Sequence, residues 1–174
     1  MKQLIFIVET DSINQSDDRY IKKLINSRYD FGSNEIKVQF VHMGGKNHYK
    51  DSAVTSRINN YIKENKNGEN YIIYCFDTDE IDNQYKYKEE YKKEKKYCDE
   101  HHYSIIWFNY DVEYVLLGKR VESNKKKQES IRYYNHNQPI PLKSLFEQNE
   151  EIKGHSNLFL VLDALLPLKK QTED

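Results

Sequence analysis

Dense apolar blocks punctuate an otherwise polar chain: LIFIV at 4–8, IKVQFV at 36–41, YIIYCF at 71–76, SIIWF at 104–108 and LFLVLDALL at 158–166. The first four are short and rich in β-branched and aromatic residues, and longer stretches with helical spacing separate them. That alternation marks a mostly parallel sheet, because parallel strands need long crossovers and bury both faces. Between the strands, Tyr20, Ile21, Leu24 and Ile25 outline the buried face of a helix that starts near Ser16 or Asp17. Ala53, Val54, Ile58, Tyr61 and Ile62 outline a second helix, which stops near Asn67-Gly68. A very charged helix is expected over roughly 84–101, and Val112, Val115 and Leu116 mark a short one after the fourth strand. Pro139 and Pro141 then break the chain ahead of a final apolar helix capped by Ser156 or Asn157. The expected fold is α/β: a Rossmannoid four-stranded sheet with helices on both faces. A core over about 1–120 and a helical appendage over about 121–170 form a single domain over 1–174.

With 174 residues the chain is long enough for one sizeable core and short for two. Hydrophobic residues make up 37% and charged residues 32%, but the apolar ones are concentrated as a disordered chain would not concentrate them. Net charge is -1, so any polyanion has to be held by a local patch. The two cysteines, Cys75 and Cys98, are too few for a disulfide framework, and Cys75 falls inside an expected core strand. The five-residue apolar run near the start is too short for a signal-peptide core, and nothing approaches a membrane span. A reduced, cytoplasmic protein without membrane contact is the simplest expectation.

Two expected strands end in acids: one runs into Glu9-Thr10-Asp11, the other into Asp77-Thr78-Asp79-Glu80. In an open parallel sheet, ligands bind beyond the carboxyl ends of the strands. If the two strands are neighbours, their carboxylates converge and repel unless they are protonated or share a cation. Mg²⁺ (or Mn²⁺) suits such a site, since hard cations take carboxylate oxygens and keep waters and substrate phosphates. The competing reading is that an acid after a strand only caps the next helix. Glu80 and Asp82 read as solvated or first-turn acids.

These residues, in VETDSINQSDDRYIKKL, YCFDTDEID, WFNYDVEYVLLGK and more loosely SNLFLVLDALL, resemble in order and separation the RloB-like proteins, a branch of the Toprim-type domains. The resemblance implies a Toprim-like fold, with Glu9 as the acid-base group and Asp77 and Asp79 as Mg²⁺ ligands. Asn109 and Glu113 match the family's Asn-x-x-x-Glu, which makes Glu113 a further candidate ligand and Asn109 its support. It also implies a nuclease-type domain acting on DNA or RNA, in phage defence beside a separate ATPase partner. The chain has no ATPase motif of its own. Where the family has Gly after its first glutamate this chain has Thr10, its polar stretch before Ser16-Asp17 is longer, and Tyr110-Asp111-Val112 replaces the family's Pro-Cys-Phe. The second reading is therefore a non-catalytic module that binds nucleic acid, nucleotide or a protein, including a phage- or mobile-element-encoded inhibitor. A homodimer is compatible with either.

Other segments are weaker signals. HMGGKNHYK follows the second strand, where Gly44 and Gly45 permit close approach of a phosphate and Lys46, His48 or Lys50 offer donors. It lacks the P-loop pattern, and as a turn it needs no function. Lys119, Arg120 and Lys125, with Lys126 and Lys127, form the best local basic patch for a polyanion, or a plain exposed charge run. The Lys- and Tyr-rich helix reads as a solvated face in which Glu89, Glu90 and Glu94 pair with Lys92, Lys93 and Lys96. Cys98, His101 and His102 lack a zinc-ligand spacing, and no serine sits in a triad context.

Overall fold

In a computed structural model, residues 1–29, 36–81, 84–136 and 138–166 are described. Four strands, β1 (Lys2–Val8), β2 (Ile36–His42), β3 (Glu69–Asp77) and β4 (Ser104–Phe108), lie in the order β2-β1-β3-β4 and pair in parallel throughout. The chain is thus α/β with an all-parallel, Rossmann-like sheet, as the alternation of apolar runs implies.

Helices α1 (Ser16–Arg28), α2 (Ser52–Glu64) and α3 (Tyr85–His101) make the crossovers. Each strand's period of two divides its side chains between the faces. Leu4, Phe6, Val8, Ile73, Cys75, Ile106 and Phe108 join a core with α1, while Ile5, Ile7, Tyr74, Phe76 and Trp107 join one with α2 and α3. The first crossover steps from β1 outward to β2, and the next two step the other way. With crossovers of one hand, that reversal moves the helices to the opposite face. It also places the switch point between β1 and β3, where this class of sheet opens its ligand crevice.

Beyond β4 come α4 (Val112–Leu117), α5 (Lys126–Asn135) and α6 (Leu158–Asp163), the last preceded by Asn157 at its N-cap position. Val112, Val115, Leu116, Tyr133, Leu158, Phe159 and Leu162 all enter the α1-side core. The C-terminal stretch therefore completes one face of the sheet. Arg28 grips Asp163 through Nε (2.8 Å) and a terminal nitrogen (2.5 Å), and the Tyr29 hydroxyl donates to the same carboxylate at 2.5 Å, fastening α1 to α6.

The charged helix α3 corrects one expectation. Glu89–Lys92, Lys86–Glu90 and Lys96–Glu100 pair along it, but Glu94 is only 3% exposed and shares a buried face with Tyr91 and Cys98. Among the described residues, no helix is long and apolar enough to cross a membrane.

Candidate functional site

β1 and β3 are hydrogen-bonded neighbours, so Glu9 and Asp77 emerge side by side at the carboxyl edge of the sheet. Glu9 Oε1 accepts the Asp77 backbone N–H at 2.8 Å, carrying the contact between the two strands past their last paired residues, Ile7 and Tyr74. The alternation of each strand then separates their surroundings. Glu9 follows Val8 and turns toward the α3 face, whereas Asp77 continues the Ile73, Cys75 series toward α1. The acids form two groups joined by the Glu9–Asp77 contact.

On the α3 side, the loop after β2 is drawn against β1. The amides of Met43, Gly44 and Gly45 donate to the carbonyls of Val8, Thr10 and Glu9 at 2.9, 3.4 and 2.9 Å. Gly44 (φ 71°) and Gly45 (φ 138°) make this possible with backbone that L side chains rarely adopt. The glycine amides are thus engaged by the chain itself, and what the loop delivers is Lys46. Its ammonium donates to the Asp77 carbonyl at 2.5 Å and to Asp79 Oδ2 at 3.2 Å. Burial works against that charge, but Glu94, Glu9 and Asp79 outweigh it and hold the lysine above its ordinary pKa. Burial pushes the Glu9 carboxyl up to about 8, with Lys46 and the Asp77 amide opposing and Asp17 and Asp79 adding to the rise. Burial likewise pushes Glu94 up to about 8, and its Oε2 has no hydrogen-bond partner.

On the α1 side, burial raises Asp77 well above the usual carboxylate range, and the charges of Glu9, Asp17 and Asp111 raise it further. Asp17, in the first turn of α1, accepts the Thr10 amide at 3.3 Å and is itself raised by burial. Asp111 caps α4 by accepting the Tyr114 amide at 2.7 Å, so the capping role weighed for Asp77 belongs here. Lys126, at the start of α5, reaches Asp111 at 3.3 Å and Glu113 at 2.9 Å. Glu113 is fully buried, its carboxyl pushed up to about 7 by burial despite Lys126, and its Oε1 is unpartnered. Asn109 is fully buried too; its amide donates to the Glu150 carbonyl at 2.8 Å and its Oδ1 is unpartnered.

Asp79 (φ 53°) and Tyr110 (φ 69°) face each other in an isolated bridge, both in the left-handed region. Strain of this kind persists only where surrounding contacts enforce it. Here the Asp79 amide donates to the Tyr110 carbonyl at 3.0 Å, and the Arg120 guanidinium lies 4.5 Å from the Tyr110 ring centre. A cleft of about 310 Å³ opens beside them, lined in part by Tyr87, Tyr110, Asp111, Arg120 and Lys126. A larger cavity of about 790 Å³, with Met1, Gly68 and Leu165 in its wall, lies at the opposite edge of the sheet, away from these acids.

The other candidates sit farther out. Arg120 is paired with Glu80 at 2.6 Å, Lys125 with Glu122 at 2.7 Å, and Lys119 is exposed. His48 pairs with Asp51 at 2.6 Å, and Asp82 lies outside the described residues. Sequence reasoning missed Asp17 and Glu94 as members of this edge and placed Lys126 only in a surface patch. For Glu94 the available sign is its i, i+3, i+7 spacing with Tyr91 and Cys98. Asp17 carries no sign beyond that of a first-turn acid.

The donor chemistry suits a hard divalent cation: carboxylate oxygens in excess, mutually raised, with unpartnered buried oxygens on Glu113 and Asn109. Among the described residues, no three His, Cys, Asp or Glu are gathered as a metal-holding group. No family model, curated protein or solved structure matches the chain.

Proposed function

We propose that the carboxyl edge between β1 and β3 is a Mg²⁺-dependent phosphodiester-cleaving site acting on DNA or RNA. The supporting observation is Glu9, an acid held at the switch point with a pKa raised to about 8. A carboxyl group in that range can both give and take a proton near neutral pH. Oε1 accepts the Asp77 amide, which leaves Oε2 to carry the proton. From Oε2 the proton passes to the leaving oxygen of the scissile phosphodiester, or the ionised group takes one from the attacking water. Asp77 and Asp79 would hold the ion, with Glu113 behind them beside Lys126. When bound, the ion polarises a phosphoryl oxygen and makes the attacking water more acidic. Arg120 and Lys126, in the wall of the adjoining cleft, would meet flanking phosphates, with Lys119 and Lys125 farther along the strand. The resemblance to RloB-like proteins adds a setting in phage defence beside a separate ATPase.

The test is cleavage of DNA and of tRNA with and without Mg²⁺, comparing wild type with Asp77→Ala. Equal cleavage by both proteins in clean preparations overturns the reading.

One observation favours the second reading, a binding module without turnover. Lys46 and Lys126 already lie against the acids, so the edge is partly neutralised by the chain itself. Calorimetric titration separates the two: heat of Mg²⁺ binding near millimolar metal supports the first, and none supports the second.

A further inference from the structure

Lys46 starts from the β2 side of the sheet, yet its ammonium ends at β3. With β1 lying between these strands, the side chain crosses over the end of β1, where Glu9 stands. Its turn cannot drift, because the Gly44 and Gly45 amides are fastened to Thr10 and Glu9. The Lys46 side chain is only 13% exposed, and its ammonium takes an oxygen of Asp79 that a metal would need. A divalent ion held by Asp77 and Asp79 beside Glu9 would therefore claim the same space and the same negative charge as the Lys46 ammonium.

A second acid is placed to receive the displaced group. Glu94 is 3% exposed, its Oε2 is unpartnered, and its charge is one of those that raise Lys46. Leaving a buried carboxyl oxygen unbonded is costly, and an arriving ammonium would relieve that cost and favour ionisation of the group.

We propose that Lys46 is a tethered cation competing with a divalent ion at the Glu9–Asp79 side of the edge, and that Glu94 takes the ammonium when the ion enters. This rests on the metal-site reading above. It makes the acid edge stable without metal and makes loading a competition between two cations.

The experiment is calorimetric titration of Mg²⁺ into wild type, Lys46→Met and Glu94→Gln, each first shown to melt cooperatively. Lys46→Met is expected to bind about tenfold or more tighter than wild type, because one opposing charge is gone. Glu94→Gln is expected to bind more weakly, because the displaced ammonium loses its receiving carboxylate. Equal affinities for wild type and Lys46→Met overturn the competition and leave the metal site standing. An unchanged or tighter Glu94→Gln overturns the role of Glu94. No binding by any of the three overturns the metal reading and this inference with it. Should Lys46→Met fail to fold, the ¹⁵N ammonium signal of Lys46 in wild type serves instead. It is expected to move as Mg²⁺ is added, and an unmoved signal in a protein that binds Mg²⁺ overturns the proposal.

Discussion

Glu9 and Asp77 are joined by a 2.8 Å hydrogen bond from the Asp77 amide to Glu9 Oε1, so the acid that ends β1 also secures the end of β3. Glu9→Gln keeps an acceptor there and removes the ionisable proton. In a cleavage assay this substitution is expected to lower kcat by about 100- to 10,000-fold while the protein still folds. At about pH 8 the variant should also melt higher than wild type, by about 2–4 °C for each kcal/mol gained, since no buried charge has to form. Loss of folding in Glu9→Gln would assign Glu9 a structural role instead.

Stability should fall as pH rises through neutrality, the reverse of the behaviour of a protein held by ion-paired acids. Burial raises Glu9 and Glu94 to about 8 and Glu113 to about 7, from ordinary values of 4.5. Each binds its proton more tightly folded than unfolded, so its contribution is complete below about pH 4.5 and is lost as pH climbs toward 7–8. Lys46 and Lys126, both raised, hold their contributions throughout this range. Thermal melts across this interval should show a steady decline. Millimolar Mg²⁺ should restore stability at the upper end and do little at the lower, because it competes with protons. A flat profile would mean that these acids are ionised in the folded chain.

The clamp of Asp163 on Arg28 and Tyr29 makes the opposite pH prediction. The hydrogen bond from Arg28 holds Asp163 below its ordinary value of 3.8, so this contribution is present above that value and is lost in acid. Asp163→Asn should cost about 1–3 kcal/mol in urea unfolding at neutral pH, with the difference from wild type narrowing below about pH 3.8.

Residues 121–166 should be indispensable to folding. Leu162 is fully buried in the core that α1 shares with the sheet, and Leu162→Ala should cost about 2–5 kcal/mol in urea unfolding. A chain ending at residue 120 would expose the face built from Leu4, Phe6, Val8, Ile106 and Phe108, and it is expected to show no cooperative melt. A sharp transition in that fragment would make the C-terminal stretch a true appendage.

The strands and main helices were legible because their signal is local. Period-two and period-3.6 spacing of apolar residues depends on backbone geometry, and Ile36, Ser104 and Phe108 bound their strands as the apolar runs suggest. Gly68 shows where the local reading falls short. It reads as a helix stop, yet α2 ends at Glu64, and a Cβ on Gly68 would lie 2.2 Å from the Met1 carbonyl and 2.5 Å from Asn65. Space beside β1, a distant contact, is what demands glycine there.

By itself the sequence determined the α/β class, the strand positions and the presence of acids at two strand ends, since each follows from residues within one element. Only the tertiary structure decided how those acids are shared out. Strand order made β1 and β3 neighbours, and alternation sent Glu9 toward Lys46 and Glu94 and Asp77 toward Asp17 and Lys126. Burial, which no single residue encodes, then raised their proton affinities, and Lys46 and Lys126 came to lie against the two groups.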